Sequence, residues 1–400
     1  MKIFREIASS LNSQWKTQNY DNRVFPRLAA AALESFDLPG AVAATDILGW
    51  SVEQEALPLQ ANLESSFGQP PITLFRDDRM YLDAIFWRRA TTTIHQHGFS
   101  GAFQVLSGTC VHAEYDFTTG HRVGLALAFG DLRLKSLGIL NVGDVRPILL
   151  GDQFIHASYH VESPTVTVVI RTVSEPWLTP QYNYLPGVAY SPFQNNQTRT
   201  RRLQCLNLIK DKYFERFPDA ARRMVQSDLV TAFHALQVAF DTGHPGVFEE
   251  AYQHARQVHG EVIASLPEAF AHERRMQDMV KRRGNGDDPD LNFFIGALAY
   301  GRSRAEVAQL IASRYPDRSL AEVEVELAAR MLKPWTSSKS EPVRRLTARA
   351  LTLLVGERRS TAVTAEVLAQ EFALGSQEGQ LLAGFLQQFG DSSLLRPLLA

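Results

Sequence analysis

Two histidines one residue apart, His95 and His97, lie in the stretch Thr92-Thr93-Ile94-His95-Gln96-His97-Gly98-Phe99-Ser100-Gly101-Ala102-Phe103-Gln104-Val105-Leu106-Ser107-Gly108. A strand repeats every two residues, so both imidazoles point to one face and Gln96 to the other. Two imidazoles so placed hold one metal ion if the fold returns a third donor to that face. His156 offers itself on the run Gly151-Asp152-Gln153-Phe154-Ile155-His156-Ala157-Ser158-Tyr159-His160. His160 follows four residues later, on the same face of a regular strand. It is read as a fourth ligand or as the acid or base behind the ligands, against a hydrogen-bonded residue in a turn before Pro164. For the histidine pair, the competing reading is two polar strand residues at a barrel mouth, holding no metal.

These residues must be positioned by a chain of 400 residues, more than one average domain. With 45% hydrophobic and 21% charged residues it can bury a sizeable core. A net charge of −2 gives no whole-molecule reason to expect nucleic acid or an anionic membrane as partner. Cys110 and Cys205 are far apart, which argues against a disulfide framework and for a reducing compartment. Met1 to Ile7 carries charges where a signal peptide needs an apolar core, and no run reaches membrane-spanning length. A cytoplasmic location is expected.

Residues 1–68 read as a helical N-terminal segment: Ile3, Ile7 and Leu11 recur at helical spacing, and Phe25 to Phe36 is alanine-rich. Residues 69–175 change to short alternating strands, among them Ile72 to Phe75, Met80 to Arg88, Gly101 to Leu106 and Cys110 to Phe117. Thr118-Thr119-Gly120, Gly130-Asp131, Gly138, Gly143-Asp144 and Gly151-Asp152 read as turns, so a barrel or sandwich is expected. Residues 176–198 read as an irregular covering segment with Trp177, Tyr182, Tyr184, Tyr190 and Phe193. Residues 199–400 read as a helical domain broken near 216–219, 242–245, 284–290, 314–320 and 335–342.

The His95-x-His97 pair, the three residues before Gly101 and the six between Gly101 and Gly108 resemble the first motif of the cupin superfamily. The span Gly143 to His156, with Pro147 and Gly151 out of register, stands where that family has its second motif. The resemblance covers about residues 70–175 and implies a central double-stranded β-helix barrel. The family's glutamate position is Gly101 here, so the implied metal shell is His95, His97 and His156. Such a neutral three-imidazole face leaves about three positions open on an octahedral ion. That resembles the thiol (cysteine) dioxygenases, where substrate and O2 take those positions. Glu114 or His112, on one face of the strand after Gly108, is the candidate replacement for the missing carboxylate, against a solvated role. The Ser-x-His-x-Tyr pattern of the thiol enzymes falls on Thr167, Val169 and Arg171, so its histidine and tyrosine are absent. Arg171 would instead hold a substrate anion. The family's upstream arginine is matched by Arg76, with Arg79 and Arg88 as alternatives.

The expectation is therefore a β-barrel plus all-α protein, a mononuclear Fe(II) oxygenase acting on a small polar anionic substrate with O2. Zn, Ni, Cu and Mn are alternative metals, and a homodimer fits equally. His160 would serve as acid or base, and the aromatic residues of 177–193 would exclude water. The alternatives are a non-enzymatic ligand-binding or regulatory module and a metal-dependent lyase or isomerase. An enzyme is expected to keep its metal site when residues 200–400 are removed, whereas a sensor loses its output partner.

Overall fold

The computed structural model describes residues 1–61, 63, 68–88, 92–177, 179–193, 196–283, 288–337, 339–392 and 394–399. Its strands are β1 (Pro71–Arg76), β2 (Met80–Trp87), β3 (His95–His97), β4 (Gly101–Ser107), β5 (Cys110–Val123), β6 (Leu127–Leu140), β7 (Val145–Ile148), β8 (Gly151–His160), β9 (Thr165–Thr172), β10 (Asn183–Leu185) and β11 (Val188–Tyr190). One antiparallel sheet has the order β1-β2-β9-β4-β7. The other runs β10-β11-β6-β5-β8-β3 and closes into a barrel where Asn183 pairs with His95.

Both sheets are buried on two sides, which explains why their central strands read as near-continuous apolar runs. On β2, Leu82, Ala84 and Phe86 face the N-terminal helices while Asp83, Ile85 and Trp87 face the space between the sheets. The helices are α1 (Lys2–Thr17), α2 (Phe25–Ser35), α3 (Leu38–Ala41) and α4 (Ala44–Glu53). Helix α1 presents Phe4, Ile7, Leu11 and Trp15 as one buried stripe.

The C-terminal half is a coat on the second sheet. Helices α5 (Gln197–Lys212), α6 (Phe217–Val225), α7 (Leu229–Asp241), α8 (Pro245–His259) and α9 (Leu266–Arg282) share a core with β6, β10 and β11. Helices α10 (Pro289–Tyr300), α11 (Arg304–Arg314), α12 (Leu320–Thr336), α13 (Glu341–Leu351), α14 (Thr361–Glu371), α15 (Ser376–Ser392) and α16 (Arg396–Leu399) share one with the backs of β5 and β8. Val111, Ala113, Tyr115, Ile155, Ala157 and Tyr159 project into this second core. The approach is close: a Cβ on Gly296 of α10 would lie 2.9 Å from the Tyr159 ring, and Asn292 Nδ2 donates to the Val161 carbonyl at 2.9 Å.

Three expectations need correction. Thr118-Thr119-Gly120, Gly130-Asp131 and Gly138 are not turns but interior positions of the long β5–β6 ribbon. Its turn lies at Gly124, whose φ is +56°. Gly130 is required because a Cβ there would run into the Thr118 carbonyl across the ribbon. Second, residues 176–198 do more than cover: β10 and β11 close the second sheet, and Tyr182 and Tyr184 belong to the core behind it. Third, the helical half is no detached domain, because it forms the back wall of the histidine-bearing strands. Among the described residues no helix is long and apolar enough to cross a membrane.

Candidate metal centre

Alternation on three strands brings the site together. β3 turns His95 and His97 inward, and Gln96 outward, where it accepts from Tyr184 Oη and donates from Nε2 to the Pro180 carbonyl at 2.5 Å. β8 turns Phe154, His156, Ser158 and His160 inward, and β5 does the same for Cys110 and His112. His95 pairs with His156 across the β3–β8 ladder, so the two motifs are physical neighbours although His97 and His156 are 59 positions apart in the chain.

The donor nitrogens of His95, His97 and His156 lie within 4.8 Å of one another, and all three residues are buried. His97 Nε2 and His156 Nε2 are 2.9 Å apart. Two nitrogens at about 2.1 Å from one ion and at right angles to each other would sit about 3.0 Å apart, so the pair fits two adjacent positions on a single ion. His95 Nδ1–H donates to the Thr93 carbonyl at 2.8 Å, which makes Nε2 its lone-pair nitrogen. With His156 Nε2 assigned as ligand, its Nδ1–H donates to His112 Nε2 at 3.0 Å. Phe154 stacks on the His156 ring with centroids 4.5 Å apart, and Phe99 packs on His97 at 4.6 Å.

Burial dictates the charge state. It pushes His95 down to about 4, against the Thr93 bond, and pushes His112 and His160 down to about 3. His97 and His156 fall well below the ordinary histidine range, by burial first and then because the clustered histidines, and Arg171 beside His97, disfavour a further positive charge. Neutral imidazoles are the form that ligates a metal. The donor set therefore suits a divalent transition metal.

The centre opens into a 460 Å³ cavity between the sheets, lined mostly by Ile85, Trp87, Phe99, Phe103, Ile148 and Val169. Several expected roles change here. His160 lines the cavity but is not among the clustered donors, and its neutral ring is not an imidazolium acid near neutral pH. Glu114 lies across the ladder from His156, half-buried and outside the cluster. Arg171 reaches the cavity, but its guanidinium is already paired with Asp83 at 3.2 Å and lies over the rings of Tyr81 and Phe99. Its charge is matched internally, so it is a poor holder of a substrate anion. Arg76 is outside the lining and packs over Tyr81, and Arg79 packs over Tyr20. Of the expected covering aromatics, Phe193 alone among the described lining residues borders the cavity. Cys110 is buried, and burial pushes its thiol up to about 12.

Gly101, where the resemblance would put a glutamate, leaves no room for one. It pairs with Arg171 and Ile148, and a Cβ there would collide with the Ile170 carbonyl oxygen, with Arg171 Cα at 3.0 Å. No side chain of any kind fits that position. Sequence reasoning missed Asp83 as a site residue. The signal was present: Asp83 is the one charge in the apolar run Met80–Trp87. Burial raises the Asp83 carboxyl and Arg171 opposes this, while Thr73 Oγ1 donates to it at 2.8 Å.

No family model and no curated protein matches the chain. Among solved structures it is similar to an oxalate oxidase, at 13% identity and a TM-score of 0.22, over 42% of this chain and 77% of that one. It is also similar to a recombinant oxalate oxidase in complex with glycolate, at 14% identity and a TM-score of 0.20, over 38% of this chain and 67% of that one. A likeness of that strength decides nothing about this chain.

Proposed function

We propose that the chain is a cupin-type mononuclear transition-metal enzyme, an oxygenase with Fe(II) held by His95, His97 and His156. The observation that carries this is the buried triad of neutral imidazoles with two Nε2 atoms 2.9 Å apart, facing a 460 Å³ cavity. The strand orders support the double-stranded β-helix reading, since β2-β9-β4-β7 facing β3-β8-β5-β6 is a jelly-roll arrangement. With three protein donors, bound Fe(II) would supply Lewis acidity, a one-electron couple and open positions for substrate and O2.

The chain's own residues supply the rest. His112 orients His156 through its Nδ1–H, and the Thr93 carbonyl orients His95. Phe99, Phe103 and Phe154 pack on the imidazoles and keep bulk water from the reacting end. Asp83 and Arg171 neutralise each other on the opposite wall.

The test is metal content after anaerobic Fe(II) loading of wild type and His97→Ala, followed by O2 uptake with a panel of chelating substrates. Near-stoichiometric iron in wild type alone, with substrate-dependent O2 uptake, is the expected result. Equal metal in both proteins would remove the site. Metal in wild type without O2 uptake would favour a Lewis-acid lyase or isomerase, and no metal in either would favour a binding module.

A further inference from the structure

The cavity has a second polar pole that the metal reading leaves unused. His160 ends β8, is 2% exposed, and has no hydrogen-bond partner for either ring nitrogen. Its face is taken: the ring stacks on Trp87 with centroids 4.5 Å apart and planes 11° from parallel. Its edge, which carries both nitrogens, is what remains for a ligand. A buried polar group left unpaired costs on the order of 1–3 kcal/mol, so an imidazole edge in an apolar cavity is a site that a guest can satisfy.

The position of this pole sets the guest's length. His156 and His160 share one face of β8, and four strand residues span about 13 Å. Ile85, Trp87, Phe103 and Val169 line the same cavity, together with the hydroxyls of Ser158 and Thr167. Charge sets the guest's polarity. Among the described lining residues the only carboxylate and the only guanidinium are Asp83 and Arg171, which are paired with each other. An ionic end group beside His160 would be desolvated with no counter-charge in the lining, since Arg283, whose charge acts on His160, lies over the Tyr159 ring on the other face of β8 and donates to the Glu162 carbonyl. A neutral imidazole offers one N–H and one lone pair, the complement of a hydroxyl or carbonyl.

We propose that His160 receives the neutral hydroxyl or carbonyl end of an elongated, mostly aromatic or alicyclic substrate, about two rings long, whose other end reaches the His95, His97 and His156 centre. This rests on the metal reading for the identity of the second end only. His160 is then a positioning residue for substrate, and the substrate is neutral and apolar in body where the sequence pointed to a small anion. The 460 Å³ cavity lies within the usual range for sites that enclose small molecules.

The test uses the full chain stripped of metal, so that its outcome does not depend on the metal centre. Naphthalen-2-ol and naphthalene are titrated by calorimetry into wild type, His160→Leu and His160→Gln, and both titrations of wild type are repeated with the His160 ring nitrogens followed by 15N NMR. Wild type is expected to prefer the naphthol by about tenfold, as one buried hydrogen bond provides. His160→Leu should lose that preference while keeping its naphthalene affinity, and His160→Gln should keep part of it. The His160 ring nitrogens should shift on naphthol addition and not with naphthalene, a readout that survives even if His160→Leu does not fold. An unchanged preference in His160→Leu, no binding of either compound to wild type, or silent His160 resonances would each overturn the proposal. Failure of the metal reading would instead appear as metal retained by His97→Ala and would leave this result standing.

Discussion

Placing a glutamate at position 101 is the sharpest way to ask why the proposed centre has three imidazoles and no carboxylate. Position 101 faces the cavity, because it shares a strand face with Phe103 and pairs with Arg171 and Ile148. A glutamate would therefore aim the right way. The obstacle is its first carbon. The Cβ would press into the Ile170 carbonyl oxygen, well inside the 3.0 Å that real Cβ contacts respect, and its neighbours Arg171 Cα and Ile170 C are backbone atoms that cannot rotate away. β4 must retreat from β9 by roughly 1 Å. That stretches the adjoining bonds between Thr172 N and Ser100 O at 2.9 Å and between Ser100 N and Thr172 Oγ1 at 3.1 Å beyond useful length. Two lost bonds at about 1 kcal/mol each, added to an overpacking penalty of about 1–3 kcal/mol, give a destabilisation of about 3–5 kcal/mol. For a chain of 400 residues that lowers Tm by about 4–6 °C. The assay is thermal unfolding of wild type, Gly101→Ala and Gly101→Glu, with Fe(II) affinity measured in parallel. Both variants should fall together, since the clash sits at Cβ, and Gly101→Glu should gain no affinity. A Gly101→Glu protein with wild-type Tm and tighter metal binding would refute the reasoning.

Three further outcomes follow from the site's supports. His112→Phe should fold normally yet bind metal about 10–100-fold more weakly in a chelator competition, because His156 loses the acceptor that orients it; equal affinity would show that the 3.0 Å contact is idle. Arg171→Met should cost about 3 kcal/mol in a denaturant titration by leaving Asp83 buried without its partner, and adding Asp83→Leu should recover most of it; no recovery would contradict the pairing. The metal-free protein should lose stability as pH falls below about 6.5. Burial holds His95 at about 4 and His112 and His160 at about 3, so the unfolded chain binds protons that the fold refuses. The slope is up to about 1.4 kcal/mol per pH unit for each such histidine, and a urea midpoint unchanged between pH 7 and pH 5 would sink the assignment.

How much of this was legible depended on range. Strand period placed His95 and His97 on one face, while the family resemblance set His156, Thr167, Val169 and Arg171 beside them, and all six line one cavity. Period cannot say which partner a buried charge will find. Asp83 and Arg171 meet because β2 lies beside β9, with Tyr81 opposite Arg171 and Asp83 opposite Val169, a register written nowhere local. Glycine was ambiguous for a similar reason. Gly124, Gly143 and Gly151 turn the chain with positive φ, whereas Gly101 and Gly130 are flat strand positions where another backbone comes too near for a Cβ. Both uses look identical in a sequence, since the second depends on what lies across the sheet. β10 and β11 were invisible because three-residue strands carry no period, and they form only by adding to edges already present.

The helical half is where that local view misled most, and the structure reverses one experiment. If residues 199–400 were a separate output domain, the barrel would survive their removal with its metal site intact. They are instead the cover of strands whose front faces carry the histidines. Val111, Ala113, Tyr115, Ile155, Ala157 and Tyr159 alternate with the cavity-facing residues of β5 and β8, so each strand has one face on the site and one on the helices. A chain ending at Arg283 keeps every donor of the site and loses α10 through α16, including the Asn292 bond to the Val161 carbonyl. It also exposes those six apolar side chains as one patch, the kind that drives association. The expected outcome is an aggregating protein that binds metal poorly, judged by size-exclusion chromatography and metal analysis. A soluble, monomeric, metal-replete fragment would show that His156 is held by the sheet alone, and that the helices serve something other than the site.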